Sequence, residues 1–88
     1  MQQQEYEIVN KLGLHARASA LFVKTASKFQ SEVKLARETV EVNGKSIMGI
    51  MMLAASNGTR IRLTVEGPDE EEALQTIGAL ILDGFGEE

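Results

Sequence analysis

The chain has 88 residues, 43% of them hydrophobic and 25% charged, a composition ordinary for one soluble globular domain spanning residues 1–88. With no cysteine, no tryptophan and a single histidine, it can build neither a disulfide scaffold, nor a cysteine-ligated zinc or iron–sulfur centre, nor a multi-histidine metal site, and no cofactor or metal is expected. The net charge of −4 is unevenly spread: nine bases and six acids, net +3, lie in residues 1–68, whereas residues 69–88 hold seven acids and no base, a balance that disfavours non-specific binding of nucleic acid.

Glu5 to Val9 alternates polar and apolar residues, with Tyr6 and Ile8 on one side, and reads as a strand. Asn10-Lys11-Leu12-Gly13 breaks it. From Ala16 to about Lys28 the pattern is helical, with Ser19, Phe22, Val23 and Ala26 on the inner face and Arg17, Leu21, Lys24 and Lys28 on the outer one. Two short alternating runs follow, Glu32 to Leu35 and Val40 to Val42, joined by Ala36 to Thr39, a hairpin link that lacks the usual Gly or Asn. After the Asn43-Gly44 turn, Ser46 is a natural N-cap for a helix whose apolar stripe is Ile47, Ile50, Leu53 and Ala54. Arg60 to Val65 is the clearest strand, with Ile61, Leu63 and Val65 inward. Asp69, with Glu72 three residues later, forms a variant capping box for a last helix carried by Leu74, Ile77 and Ile81 as far as Gly84.

The order β-α-β-β-α-β-α predicts an α+β fold, an open-faced sandwich with three helices on one face of a four-stranded, mostly antiparallel sheet. No apolar run is long enough to cross a membrane, and the polar, acidic Met1 to Asn10 segment is unlike a secretory signal, so the expected location is the cytoplasm.

His15 stands at the start of the first helix. Free backbone N–H groups at Ala16 and Arg17 and the positive end of the helix dipole lie beside it, a ready place for an anion. The Arg17 guanidinium suits phosphate oxygens, and the positive field disfavours an imidazolium, leaving a neutral nucleophilic ring. These are the parts of a phosphohistidine site, but they equally describe a histidine that caps a helix or sits on the surface. Ser46 likewise reads either as a plain cap or as a phosphorylation site on a helix N-terminus, with Lys45 beside it. Met48, Met51 and Met52 lie off the core stripe, as a soft core edge or as an adaptable partner surface. The acids at Asp69 to Glu72 read as a solvated first turn.

Gly13-Leu14-His15-Ala16-Arg17, followed by Ala18-Ser19-Ala20, closely resembles the active-site motif of the HPr family, the histidine phosphocarriers of the phosphoenolpyruvate:sugar phosphotransferase system. Lys45-Ser46-Ile47-Met48-Gly49-Ile50-Met51-Met52-Leu53 resembles that family's second signature, around a regulatory serine. The spacing and total length match too, so the resemblance covers essentially the whole chain. It implies a monomeric phosphocarrier rather than a multiple-turnover enzyme. Enzyme I, charged by phosphoenolpyruvate, would phosphorylate Nδ1 of His15, and a IIA component of a sugar permease would take the phosphoryl group. Arg17 would neutralise phosphate charge, and Ser46 would be the target of an HPr kinase/phosphorylase where the host has one. Ala16, Ala20, Leu21, Ile47, Met48 and Met51 match the partner-binding surface. Two departures stand out: Ala18 replaces a proline found in many members, and Leu12 stands where a polar residue is common. Proline in a first turn costs little, so alanine should keep the helix and leave the phosphate pocket slightly looser.

Two other readings compete. One is a carrier of the nitrogen branch or a mainly regulatory relative, although His15 argues against a relative that has lost its histidine. The other is a small ligand- or RNA-binding module. The latter would favour exposed strand aromatics, whereas the only aromatics are Tyr6, Phe22, Phe29 and Phe85.

Overall fold

Alternation in the sequence becomes a sheet with one apolar face in the computed structural model, which describes residues 1–87. The strands are β1 (Gln2–Glu7), β2 (Glu32–Arg37), β3 (Val40–Asn43) and β4 (Arg60–Glu66); the helices are α1 (Ala16–Ala26), α2 (Ile47–Met52) and α3 (Glu70–Leu82), followed by a 3₁₀ turn at Gly84–Gly86. The sheet order is β1-β4-β2-β3, and all three pairings are antiparallel. Register places Tyr6 opposite Ile61, Val33 opposite Val65 and Leu35 opposite Leu63. Because side chains alternate along a strand, these residues share a face, and all are buried there with Phe22, Ile50, Ile77 and Ile81 from the three helices.

Several local expectations change once the elements pack. The α1 helix ends at Ala26, two residues early, and its buried face is Ala18, Ser19, Phe22, Thr25 and Ala26, with Val23 only half-buried. The β2–β3 link shrinks to Glu38-Thr39, and Glu38 adopts a left-handed φ of 56° in place of the missing glycine. Ile47 is exposed rather than on the α2 core stripe, because a six-residue helix offers the core little more than Ile50. Asp69 precedes α3 but makes no side-chain cap. Its carboxylate instead accepts from the Gln30 and Ser31 N–H groups, both at 2.9 Å, and from the Ser31 hydroxyl at 2.5 Å, tying α3 to the loop before β2. Gly78 marks where α3 crosses β1: a Cβ there would lie 2.2 Å from Tyr6 Oη. Among the described residues, no helix is long and apolar enough to cross a membrane.

Candidate functional site

The segment before α1 is stitched to the loop before β4. The Ile8 N–H donates to the Thr59 carbonyl and the Gly58 N–H to the Ile8 carbonyl, both at 2.8 Å. The Asn57 amide donates to the Val9 and Asn10 carbonyls, and the Leu14 N–H to the Ala55 carbonyl at 2.8 Å. Gly13 makes that approach feasible. Its φ is +66°, and a Cβ would stand 2.4 Å from the Ala55 oxygen. The Ser19 hydroxyl, buried beneath, donates to the Leu14 carbonyl at 3.0 Å. His15 is thus delivered on a braced turn.

His15 is itself the N-cap of α1, in extended backbone conformation. Its Nδ1 accepts the Arg17 N–H at 3.3 Å, so this N–H, expected to be free, is lightly occupied by the ring it neighbours. The Ala16 and Ala18 N–H groups have no intrahelical acceptor by position, since the ladder begins with Ser19 N–H donating to the His15 carbonyl. The ring stands on the surface, 27% exposed. The Arg17 side chain is also exposed and makes no hydrogen bond or ion pair with the described residues. Ala18 is buried within the first turn, and the helix is regular there without proline.

Two residues at this site were not singled out from sequence. Glu87 Oε2 lies 2.5 Å from His15 Nε2. Its other oxygen accepts from the Asn10 amide at 3.0 Å, and the same amide nitrogen donates to the Gly13 carbonyl at 2.8 Å. The Asn10 amide, then the His15 ring, hold the Glu87 carboxyl below the ordinary carboxylate range, with Arg17 adding to the effect. Asn10 is almost fully buried, and its Oδ1 has no hydrogen-bond partner among the described residues. The one trace of this in the sequence is Gly84-Phe85-Gly86, where two glycines bracket an aromatic residue ahead of the acidic end.

Ser46 caps α2, its Oγ accepting the Gly49 N–H at 3.1 Å. Lys45 does not reach toward it: its ammonium donates to the Phe29 carbonyl at 2.7 Å. At the other end of α2, Arg37 donates to the Leu53 and Ala54 carbonyls, both at 3.0 Å, closing the short helix. The α2 helix packs against α1. Ala16, Ala20, Ile47, Met48 and Met51 are exposed and Leu21 is half-buried. Met52 and Leu12, not assigned to this surface beforehand, are exposed by 73% and 67%. No cluster of three or more potential metal ligands occurs among the described residues.

Comparison with known proteins agrees with this arrangement. Residues 2–83 match the family model for the phosphorylation site of the HPr component of the phosphotransferase system. The chain is 56% identical over 87 residues to the phosphocarrier protein HPr of Neisseria meningitidis, covering 99% of this chain and 98% of that protein. It is 52% identical, over the same 99% and 98%, to that of Cupriavidus necator. Among solved structures, a crystal structure of HPr from Thermoanaerobacter tengcongensis superposes with a TM-score of 0.96 at 52% identity, covering 100% of this chain and 99% of that one. A braced histidine at a helix start, the same four-stranded sheet with three helices, and full-length identity of about half lead to one conclusion: the chain belongs to the HPr family, the phosphocarriers of the phosphotransferase system.

Proposed function

We propose that this chain receives a phosphoryl group on Nδ1 of His15 from phosphoenolpyruvate-charged enzyme I and hands it to the IIA component of a sugar permease. The observation that carries the reading is the placement of Nδ1: it faces the N-terminus of α1 and accepts the Arg17 N–H at 3.3 Å. Acceptance of that N–H identifies Nδ1 as the nitrogen with the free electron pair. In the transfer, this pair forms the N–P bond while the bond between phosphorus and the donor breaks, its electrons leaving with the donor. The Arg17 N–H is then released to a phosphoryl oxygen, joined by the Ala16 and Ala18 N–H groups and the exposed Arg17 guanidinium. Little covalent chemistry is needed from the protein, because phosphoryl transfer is served chiefly by positioning and charge.

Exposure of the ring, rather than enclosure in a cleft, suits exchange with another protein's active site. Ala16, Ala20, Leu21, Ile47, Met48 and Met51 supply an apolar surface for docking, to which Met52 and Leu12 add area. Ser46 lies at the start of α2, directly before Ile47, and phosphorylation there by an HPr kinase/phosphorylase would place charge in that surface.

Incubation with enzyme I and phosphoenolpyruvate, followed by intact mass, tests the proposal. One acid-labile, base-stable phosphoryl group should appear and should be absent from His15→Ala, which retains the fold because the ring is exposed. The same labile group on His15→Ala would sink the reading.

A further inference from the structure

We propose that Glu87 is a positioning residue for the carrier histidine, holding the Nε2 proton of His15 so that Nδ1 faces α1 and balancing the charge the ring gains when phosphorylated. This rests on the phosphocarrier role of His15 proposed above.

Both ring nitrogens are engaged, in opposite senses. Nδ1 accepts from the Arg17 N–H, and Nε2 lies 2.5 Å from a carboxylate oxygen that can only accept. The proton of the neutral ring therefore sits on Nε2, and the electron pair sits on Nδ1. Glu87 is itself held: its second oxygen takes the Asn10 amide, which the Gly13 carbonyl anchors at 2.8 Å inside the protein. The chain reaches this point through three consecutive left-handed residues, Gly84 at φ 66°, Phe85 at φ 59° and Gly86 at φ 74°. Such a conformation is costly for phenylalanine, and Phe85 adopts it with its ring buried in the core. The turn that aims Glu87 is thus bolted to the fold by an apolar anchor. The depressed carboxyl of Glu87 agrees with a charged acceptor at the ring.

The electron count shows when the contact matters most. As Nδ1 bonds phosphorus, Nε2 keeps its proton and the ring passes from neutral to cationic. The hydrogen bond to Glu87 becomes charge-assisted on both sides, the stronger kind. When the phosphoryl group leaves for an acceptor, the pair returns to Nδ1 and the extra stabilisation vanishes. Glu87 therefore favours the phosphorylated carrier over the free one, and from the side of the ring away from the phosphate.

The experiment compares the full chain with Glu87→Ala and Glu87→Gln. Glutamine keeps the shape but has no charge, and its single carbonyl oxygen cannot serve both His15 and Asn10. In ¹⁵N-edited proton spectra of the unphosphorylated protein, wild type should show a slowly exchanging, downfield Nε2–H signal from His15 that is lost in Glu87→Ala. At equilibrium with enzyme I, phosphoenolpyruvate and pyruvate, the ratio of phosphorylated to free carrier should fall about three- to tenfold in both variants, a partly exposed charge-assisted bond being worth that order. Thermal melts of the variants should match wild type, since Glu87 follows the last element of the fold. An Nε2–H signal that persists in Glu87→Ala, or a ratio unchanged in either variant, overturns the proposal. The phosphocarrier role fails separately, if His15→Ala still takes up the labile phosphoryl group.

Discussion

Replacing Gly13 by alanine should unseat the turn that presents His15, and its cost can be worked from two terms. The first is conformational. At φ +66° an L-residue pays about 1–2 kcal/mol, and the loss of glycine's freedom in the unfolded chain returns about 0.4–1 kcal/mol. The second is steric. The new Cβ would lie 2.4 Å from the Ala55 oxygen, 2.7 Å from Ser56 Cα and 3.2 Å from the Ser56 carbonyl carbon. All three are backbone atoms, so relief requires moving a strand-to-strand connection, at the cost of overpacking, about 1–3 kcal/mol. The net loss is about 2–4 kcal/mol. For a chain of this size, with about 0.05–0.15 kcal/mol of stability per residue, that is a large share. At about 4–8 °C per kcal/mol it should lower Tm by roughly 10–20 °C. Gly58→Ala is the matched control. Its φ is +89°, but nothing lies within 4 Å of its Cβ, so it should cost about 1 kcal/mol or less. Urea unfolding followed by circular dichroism, with the slope unchanged, gives both values, and their difference isolates the clash. Phosphorylation by enzyme I, measured where both variants are folded, should slow only in Gly13→Ala. If the two alanines lie within about 0.5 kcal/mol of each other, the loop is not held against Ala55 and Ser56, and the bracing of His15 is wrong.

Arg17→Ala should slow transfer in both directions by about 10²-fold while leaving enzyme I binding nearly intact; an unchanged single-turnover rate would mean that the backbone N–H groups suffice. Ser46→Ala should cost about 1 kcal/mol through loss of the cap on Gly49, whereas Ser46→Asp should hold stability within a few tenths because aspartate caps equally well. The charge of Ser46→Asp, set beside Ile47, Met48 and Met51, should raise KM for enzyme I with the limiting rate nearly unchanged; a normal KM with a collapsed rate would refute docking as the cause. The Ser31 hydroxyl, then the Gln30 N–H, hold the Asp69 carboxyl below its ordinary 3.8. A depressed folded value contributes stability that is fully present above the unfolded value and lost as pH falls through the folded one. Lowering the pH from about 6 to about 3 should therefore shift the urea midpoint less in Asp69→Asn than in wild type, and equal shifts would show that the Ser31 contact carries no linkage.

What the sequence determined by itself is whatever a few neighbouring residues encode. Alternation in Arg60 to Val65 sets which side of β4 is apolar, because successive side chains point to opposite faces. Ser46 caps α2 through the N–H three residues on, and His15 starts α1 and is capped by its own ring through Arg17. The two motifs that carry the family resemblance are local as well. Only the tertiary structure decided the rest, since those contacts join residues far apart in the chain. Asp69, read as a cap, turns instead to Ser31 across 38 positions, because two backbone N–H groups and a hydroxyl outbid the local helix end. Lys45, adjacent to Ser46 in sequence, spends its ammonium on Phe29. Ile47 falls outside the core because packing, not periodicity, sets how much of a two-turn helix is covered. Asn10, read as a strand breaker, and Glu87, read as part of an acidic end, meet at His15 across 77 and 72 positions. That encounter depends on where Phe85 packs, and no pattern within a few residues of either contains that information.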